Sequence, residues 1–232
     1  MRPISNIGPR VVVYRHGTPP PAVEEGWLAL AQLSAHTVFG DGSHPTTRLC
    51  AGAVDLLCRQ RPGLAVLDVG TGTGILARIA RARGATFVVG TDNDPTAVAC
   101  AKAHAELDEF GSPGATATNQ ASAGGATGSG VRAAEIGSGA PFDTIHFGGE
   151  APDHWGAWFD LVVANILEAP LLDLSPALCR ALKPGGVLLI SGFTRPQAPA
   201  LRLTYETAGL QSAGDFTLDD WVLLKFGRAI RC

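Results

Sequence analysis

The chain has 232 residues, of which 46% are hydrophobic and 17% charged, and a formal net charge of −3 with an isoelectric point near 6.0. That is the profile of a globular chain with a sizeable core, and it excludes a largely disordered protein and a strong binder of nucleic-acid backbones or anionic membranes. Five scattered cysteines (Cys50, Cys58, Cys100, Cys179, Cys232) without a C-x-x-C pair, unclustered histidines, and no apolar window long enough to span a bilayer predict a soluble cytoplasmic protein with reduced thiols and no metal.

Residues 1–35 open with a β-rich run, Val11 to Tyr14, followed by Pro19, Pro20 and Pro21, which stiffen the chain as a spacer. Trp27, Leu28, Leu30 and Leu33 predict a helix over roughly Ala22 to Leu33. This stretch is expected to be an N-terminal extension or linker remnant, with the main domain over 36–232. After a glycine-rich loop from Phe39 to His44, Pro45 suits a helix start, and Thr46 to Arg59 places Leu49, Ala53, Leu56 and Leu57 inward.

The most informative stretch follows. The apolar run Leu64 to Leu67 ends in Asp68, then Gly70, Gly72 and Gly74 alternate through D-x-G-x-G-x-G, and a helix is predicted from Ile75 to Arg83. A second apolar run, Thr86 to Val89, ends near Asp92, 22 residues after Gly70. Strand, glycine turn, helix and acid-tipped strand make half of a nucleotide-binding α/β unit, in which the acid accepts bonds from ribose hydroxyls. The third glycine of a dinucleotide fingerprint falls on Ile75, which argues against a nicotinamide cofactor. The glycines are expected to let a ligand approach the backbone, and the helix start to point its N–H groups at it. The alternative is a tight turn with Asp92 capping the next helix, predicted from Pro95 to about Leu107.

From 111 to 158 the periodicity dissolves into Gly, Ala, Ser and Thr, an irregular insertion in which only Ala115 to Asn119 reads as a weak third strand. Asp143 to Trp155 is too apolar for a linker, and a lid or an added hairpin is expected there. Phe159 to Ala164 is a strand ending in Asn165, Ala169 to Leu182 a helix stopped by Pro184, Gly185 and Gly186, Val187 to Ser191 a strand, and Gln197 to Ala208 a helix. Phe216 to Leu218 and Trp221 to Phe226 close the chain as an antiparallel hairpin.

The glycine loop and acid-tipped strand resemble motifs I and II of the class I S-adenosylmethionine (AdoMet) methyltransferases. The resemblance implies an α/β, Rossmann-like seven-stranded sheet with helices on both faces and an antiparallel last strand. Three further stretches, FGDGSHPTT (Phe39 to Thr47), VVANIL (Val162 to Leu167) and DWVLLKFGR (Asp220 to Arg228), are similar to the ribosomal protein L11 methyltransferase group. In that group a separate N-terminal domain recognises L11, and here only a linker-like remnant of it is expected.

Carried over by this resemblance, Thr47, Gly70, Asp92 and Asn165 contact AdoMet, and Asp68, Gly72 and Gly74 complete the cofactor loop. Asn165, at the carboxyl end of a strand, is also the expected catalytic residue, because it can orient an acceptor amine for in-line displacement. Thr47 reads equally well as a helix-start residue. His44 is expected to shape its loop rather than act as a base. Asp41, where the group has Thr, is expected to attract a cationic acceptor. No acid lies between Gly111 and Ala134, so Gln120 or Ser122 is expected to meet adenine. The implied activity is AdoMet-dependent N-methylation of an amine of a protein or peptide, with S-adenosylhomocysteine as product. A small-molecule methyltransferase and a non-catalytic AdoMet-binding regulatory domain are the alternatives.

Overall fold

The computed structural model describes residues 4–33, 38–111, 145–149 and 156–230. Its main feature is a seven-stranded sheet in the order β6-β5-β4-β7-β8-β10-β9. In chain order these strands are β4 (Ala65–Val69), β5 (Phe87–Thr91), β6 (Ile145–Gly148), β7 (Phe159–Asn165), β8 (Leu182–Thr194), β9 (Leu210–Leu218) and β10 (Trp221–Arg228). The β4, β5, β6, β7 and β8 pairings are parallel, and β10 runs antiparallel to both its neighbours, β8 and β9. The expected class I arrangement with its reversed last strand is therefore present.

Both sheet faces are buried, which is why the parallel strands read as continuous apolar runs rather than alternations. On one face Val66, Val88, Leu161 and Leu189 pack beneath helices α1 (Pro45–Gln60) and α2 (Ile75–Ala82) and touch Ala101 of α3 (Pro95–Gly111). On the other, Leu67, Val89, Val162 and Leu188 pack against α4 (Glu168–Asp173), α5 (Ser175–Ala181) and α6 (Ala198–Thr207). The single helix expected over Ala169 to Leu182 is thus two. Pro176 has no N–H to offer the carbonyl of Leu172, and the Ser175 hydroxyl donates to that carbonyl instead at 2.8 Å.

Two expectations are corrected. Where a helix was predicted over Ala22 to Leu33, Leu28–Gln32 forms strand β3, paired in parallel with β2 (Val11–Arg15), which is itself antiparallel to β1 (Ile4–Gly8). Five residues, LALAQ, are too short for periodicity to separate helix from strand, and a neighbouring strand with free backbone groups decides the matter. Within Asp143 to Trp155, Ile145–Gly148 is the sheet-edge strand β6, in register with β5 from Val88↔Ile145 to Thr91↔Gly148, and not part of a lid or hairpin. The weak strand expected at Ala115 to Asn119 lies outside the described residues, as do Gln120 and Ser122.

The first strands share the core of the large sheet: Ile7, Val11, Val13 and Leu30 belong to the cluster beneath α1 and α2. A buried charge ties them down. Arg78 of α2 donates to both carboxylate oxygens of Asp108 at 2.7 Å and to the carbonyl of Ala31 at 2.7 Å, joining α2, α3 and β3.

Candidate active site

Sheet order reverses between β4 and β7. The chain leaves β4 outward through β5 and β6, then returns to lay β7 on the other side of β4, so the carboxyl ends of these two strands open a crevice. A cavity of about 520 Å³ lies there, lined by Gly70 and Gly72 after β4, Asp92 to Asp94 after β5, Asn165 to Leu167 at the end of β7, and Phe39, His44, Thr46 and Trp221. Its size is that of a site for a ligand of drug or cofactor dimensions.

The glycine loop is built differently from the expectation. Gly70, Gly72 and Gly74 all have positive φ (69°, 55° and 79°), which bends the chain sharply out of β4 into α2. A Cβ on Gly70 would stand 2.1 Å from Ile166 Cγ2, and one on Gly72 would stand 2.3 Å from the carbonyl oxygen of Phe39. These two positions therefore make room for the protein's own flanking segments. The loop's N–H groups are also largely committed: Gly70 and Thr71 donate to Thr91 O, Thr73 to Phe39 O, Gly74 to Thr71 O and Ala77 to Asp68. What the loop presents to the cavity is backbone at Gly70 and Gly72 rather than an array of donors.

Asp94, not Asp92, caps the next helix, accepting from Thr96 N at 2.8 Å, and Asp92 stands at the cavity. Its Oδ2 accepts from Gly72 N at 2.9 Å and its Oδ1 from Asp94 N at 3.0 Å, while the carboxylate lines the cavity. Each oxygen keeps a lone pair for a further donor, which suits a pair of ribose hydroxyls. Asp68 stands behind the loop and does not line the cavity. It is fully buried, its Oδ2 accepting from Thr71 Oγ1 at 2.7 Å and Ala77 N at 3.2 Å, and its Oδ1 has no partner among the described residues. Burial pushes its carboxyl up to about 7 against the pull of those two donors. Gly74 also lies off the cavity, as the left-handed N-cap of α2.

Asn165 ends β7, in register with Ser191 of β8. Its Nδ2 reaches Thr47 Oγ1 at 3.5 Å, the limit of a hydrogen bond, and its buried Oδ1 has no partner among the described residues. Thr47 is buried behind Asn165, and it is the preceding Thr46 that lines the cavity. His44 caps α1: its Nδ1 accepts from Thr46 N at 3.3 Å and lies 2.8 Å from Thr46 Oγ1. Burial lowers its pKa while Asp41 opposes the shift, and because Nδ1 accepts from Thr46 N, the proton of the neutral ring sits on Nε2. With Nδ1 engaged by Thr46, this histidine braces the start of α1 beside the cavity. Asp41 does not line the cavity, and its Oδ1 takes Ser43 N at 2.9 Å and Ser43 Oγ at 2.6 Å within its own turn.

Sequence reasoning missed the aromatic wall. Trp221, the first residue of β10, meets His44 edge-on at 4.5 Å between ring centres, and His44 meets Phe39 at 5.3 Å. Ile166, Leu167 and Pro170 add apolar surface. The closing strand DWVLLKFGR is visible in the sequence, but nothing local aims its tryptophan at His44, 177 positions earlier.

The residues present fit AdoMet. Asp92 offers a carboxylate where a ribose would lie, the loop offers bare backbone, and Asn165 offers an unsatisfied acceptor beside apolar walls. Among the described residues no cluster of three metal-ligating side chains occurs, and no helix is long and apolar enough to cross a membrane.

Comparison with known proteins agrees with this geometry. The family model of ribosomal protein L11 methyltransferase matches residues 3–127 and 142–229. The L11 methyltransferase of Chloroflexus aurantiacus is 38% identical over 192 residues, covering 83% of this chain and 56% of the relative. That of Myxococcus xanthus is 35% identical over 190 residues, covering 82% and 54%. The chain thus spans little more than half the length of these curated relatives. Among solved structures, the ribosomal protein L11 methylase of Lactobacillus delbrueckii subsp. bulgaricus has the same fold (TM-score 0.72, 24% identity, 97% of this chain and 98% of that one). A methyltransferase from Pyrococcus furiosus is more distant (TM-score 0.58, 15% identity, 87% and 90%).

Proposed function

The chain belongs to the ribosomal protein L11 methyltransferase family, and on that premise we propose that it transfers a methyl group from AdoMet to an amine nitrogen of a protein or peptide. The observation that carries this reading is the unpartnered, buried Oδ1 of Asn165 in the cavity beside the glycine loop. A buried acceptor without a donor costs about 1–3 kcal/mol, a cost that an N–H of a ligand in the cavity would relieve.

Asp92 would hold the ribose hydroxyls, and the bare backbone at Gly70 and Gly72 would lie along the ligand. When bound, AdoMet supplies a methyl group on a sulfonium centre; the N–C bond forms as the C–S bond breaks, leaving S-adenosylhomocysteine. Asn165 Oδ1 accepts an N–H of the incoming amine and so turns the nitrogen lone pair toward the methyl carbon. Holding the nucleophile in line is the larger part of what this chain contributes, since the sulfonium needs no acid to leave. Phe39, Ile166, Leu167 and Trp221 give the amine an apolar approach, where desolvation of an ammonium favours its neutral, nucleophilic form.

The test is Asn165→Ala against wild type, with formation of S-adenosylhomocysteine measured on purified ribosomal protein L11 and on lysine-bearing peptides, and binding of S-adenosylhomocysteine measured by calorimetry. Methyl transfer falls by about 100-fold or more while the dissociation constant changes by no more than about threefold, the pattern of a group acting mainly in the transition state. Equal losses in both would make Asn165 a cofactor ligand only, and wild type that consumes no AdoMet with any amine would overturn the reading.

A further inference from the structure

The wall that carries Phe39 is fastened to the cofactor loop through a buried polar chain that neither cofactor nor acceptor accounts for. Thr73, fully buried, uses all of its polar groups on it. Its N–H donates to Phe39 O at 3.1 Å, its hydroxyl donates to Gly40 O at 2.6 Å, and its carbonyl accepts from His104 Nδ1 at 3.0 Å. His104, equally buried on α3, accepts at Nε2 from Leu33 N at 3.0 Å, so the neutral ring carries its proton on Nδ1 and uses both nitrogens. Gln32 Nε2 adds a longer bond to Gly40 O at 3.4 Å.

Two glycines make the clasp possible. A Cβ on Gly72 would collide with Phe39 O, and one on Gly40, where φ is +109°, would stand 2.8 Å from Thr73 Oγ1. The segment bearing Phe39 and His44 is therefore held to the loop at hydrogen-bonding distance through backbone that side chains would hold apart.

We infer that Thr73 and His104 are positioning residues for the acceptor side of the site: they lock the Phe39–Gly40 peptide onto the cofactor loop, so that the aromatic wall stands at a fixed distance from the bound methyl donor. The inference rests on the methyl-transfer reading for its catalytic consequence and on geometry alone for the clasp itself. Neither residue lines the cavity, so both act through Phe39.

Thr73→Val removes the hydroxyl and keeps the shape, and Thr73→Ser keeps the hydroxyl. In the free protein, the amide of residue 73, which donates to Phe39 O, exchanges with solvent about tenfold faster in Thr73→Val than in wild type, with Thr73→Ser close to wild type, the factor expected from one lost buried hydrogen bond. Unchanged exchange in Thr73→Val overturns the clasp whatever the enzyme proves to do. With purified ribosomal protein L11 as acceptor, Thr73→Val lowers kcat/KM for L11 by about tenfold and leaves the dissociation constant for S-adenosylhomocysteine within about twofold, and Thr73→Ser keeps kcat/KM close to wild type. A matching loss of S-adenosylhomocysteine affinity would make Thr73 part of the cofactor site and refute the assignment. Wild type that binds no S-adenosylhomocysteine would refute the methyl-transfer reading, and the exchange measurement would still decide the clasp. His104→Leu, which removes the ring's bonds to Thr73 O and Leu33 N, reproduces the fast exchange at residue 73 and serves as the second variant.

Discussion

Gly72→Ala separates the two reasons a glycine can occupy the cofactor loop. The residue sits at φ +55°, and its Cβ would lie 2.3 Å from Phe39 O. An alanine there suffers the left-handed strain of about 1–2 kcal/mol common to any side chain. It must also push the Phe39 carbonyl away by roughly 1 Å to reach ordinary contact, which breaks the Thr73 N–H bond to that carbonyl, worth about 1 kcal/mol. The natural control is Gly63, at φ +83° with nothing within 4 Å of a Cβ, where alanine meets the strain alone. The effect of alanine on the unfolded chain is the same at both sites and cancels in the comparison. Urea unfolding of the two variants and wild type, followed by circular dichroism, should place Gly72→Ala below Gly63→Ala by about 1–2 kcal/mol in the absence of any ligand. If the two variants unfold with equal free energies, the Phe39 segment does not press on Gly72, and the glycine serves only a ligand.

Asp92→Ala should weaken S-adenosylhomocysteine binding by about 1.5–3 kcal/mol in calorimetry, as expected for bonds to a charged acceptor; unchanged affinity in a folded variant would reduce Asp92 to a brace for Gly72 and Asp94. Asp68 should make stability fall as pH rises. Its carboxyl is raised from 3.8 to about 7, so the folded state holds a proton that the unfolded state has released, and the contribution is full below 3.8 and lost as pH climbs to about 7. Urea midpoints from pH 4 to pH 8 should decline across that window in wild type and flatten in Asp68→Asn, and parallel profiles would remove Asp68 as the cause. Asp55, buried between Arg59 at 3.0 Å and Arg83 at 2.6 Å, should cost about 3 kcal/mol on replacement by alanine, because two guanidinium groups lose their shared partner; a urea shift under 1 kcal/mol would show that water replaces the pair.

Much of the site was legible along the chain because its parts are local. A strand, a glycine turn and a helix must be contiguous to bend around a ligand, so Gly70 and Gly72 stand together in sequence and in space. Asp92 and Asn165 were legible for a related reason: each ends an apolar run, and in an open parallel sheet strand ends are where ligands gather. Helix and strand order then implied the sheet, including its reversed last strand.

What needed the tertiary structure was every choice between equally satisfactory local answers. LALAQ at Leu28–Gln32 became a strand because β2 offered it hydrogen bonds, and Ile145–Gly148 became the sheet edge because β5 did the same. Thr46 rather than Thr47 reached the cavity, since which of two adjacent helical residues faces a site depends on how α1 is rotated against β7, β8 and β10. Asp68 withdrew behind the loop because Thr71 and Ala77 claimed its carboxylate, and Trp221 entered the site from the far end of the chain. The glycines show the division most clearly: their spacing announced a loop approached closely on its bare side, but only the packed molecule showed that at Gly70 and Gly72 Ile166 and Phe39 make that approach, because steric contact depends on distance in space and leaves no trace in sequence separation.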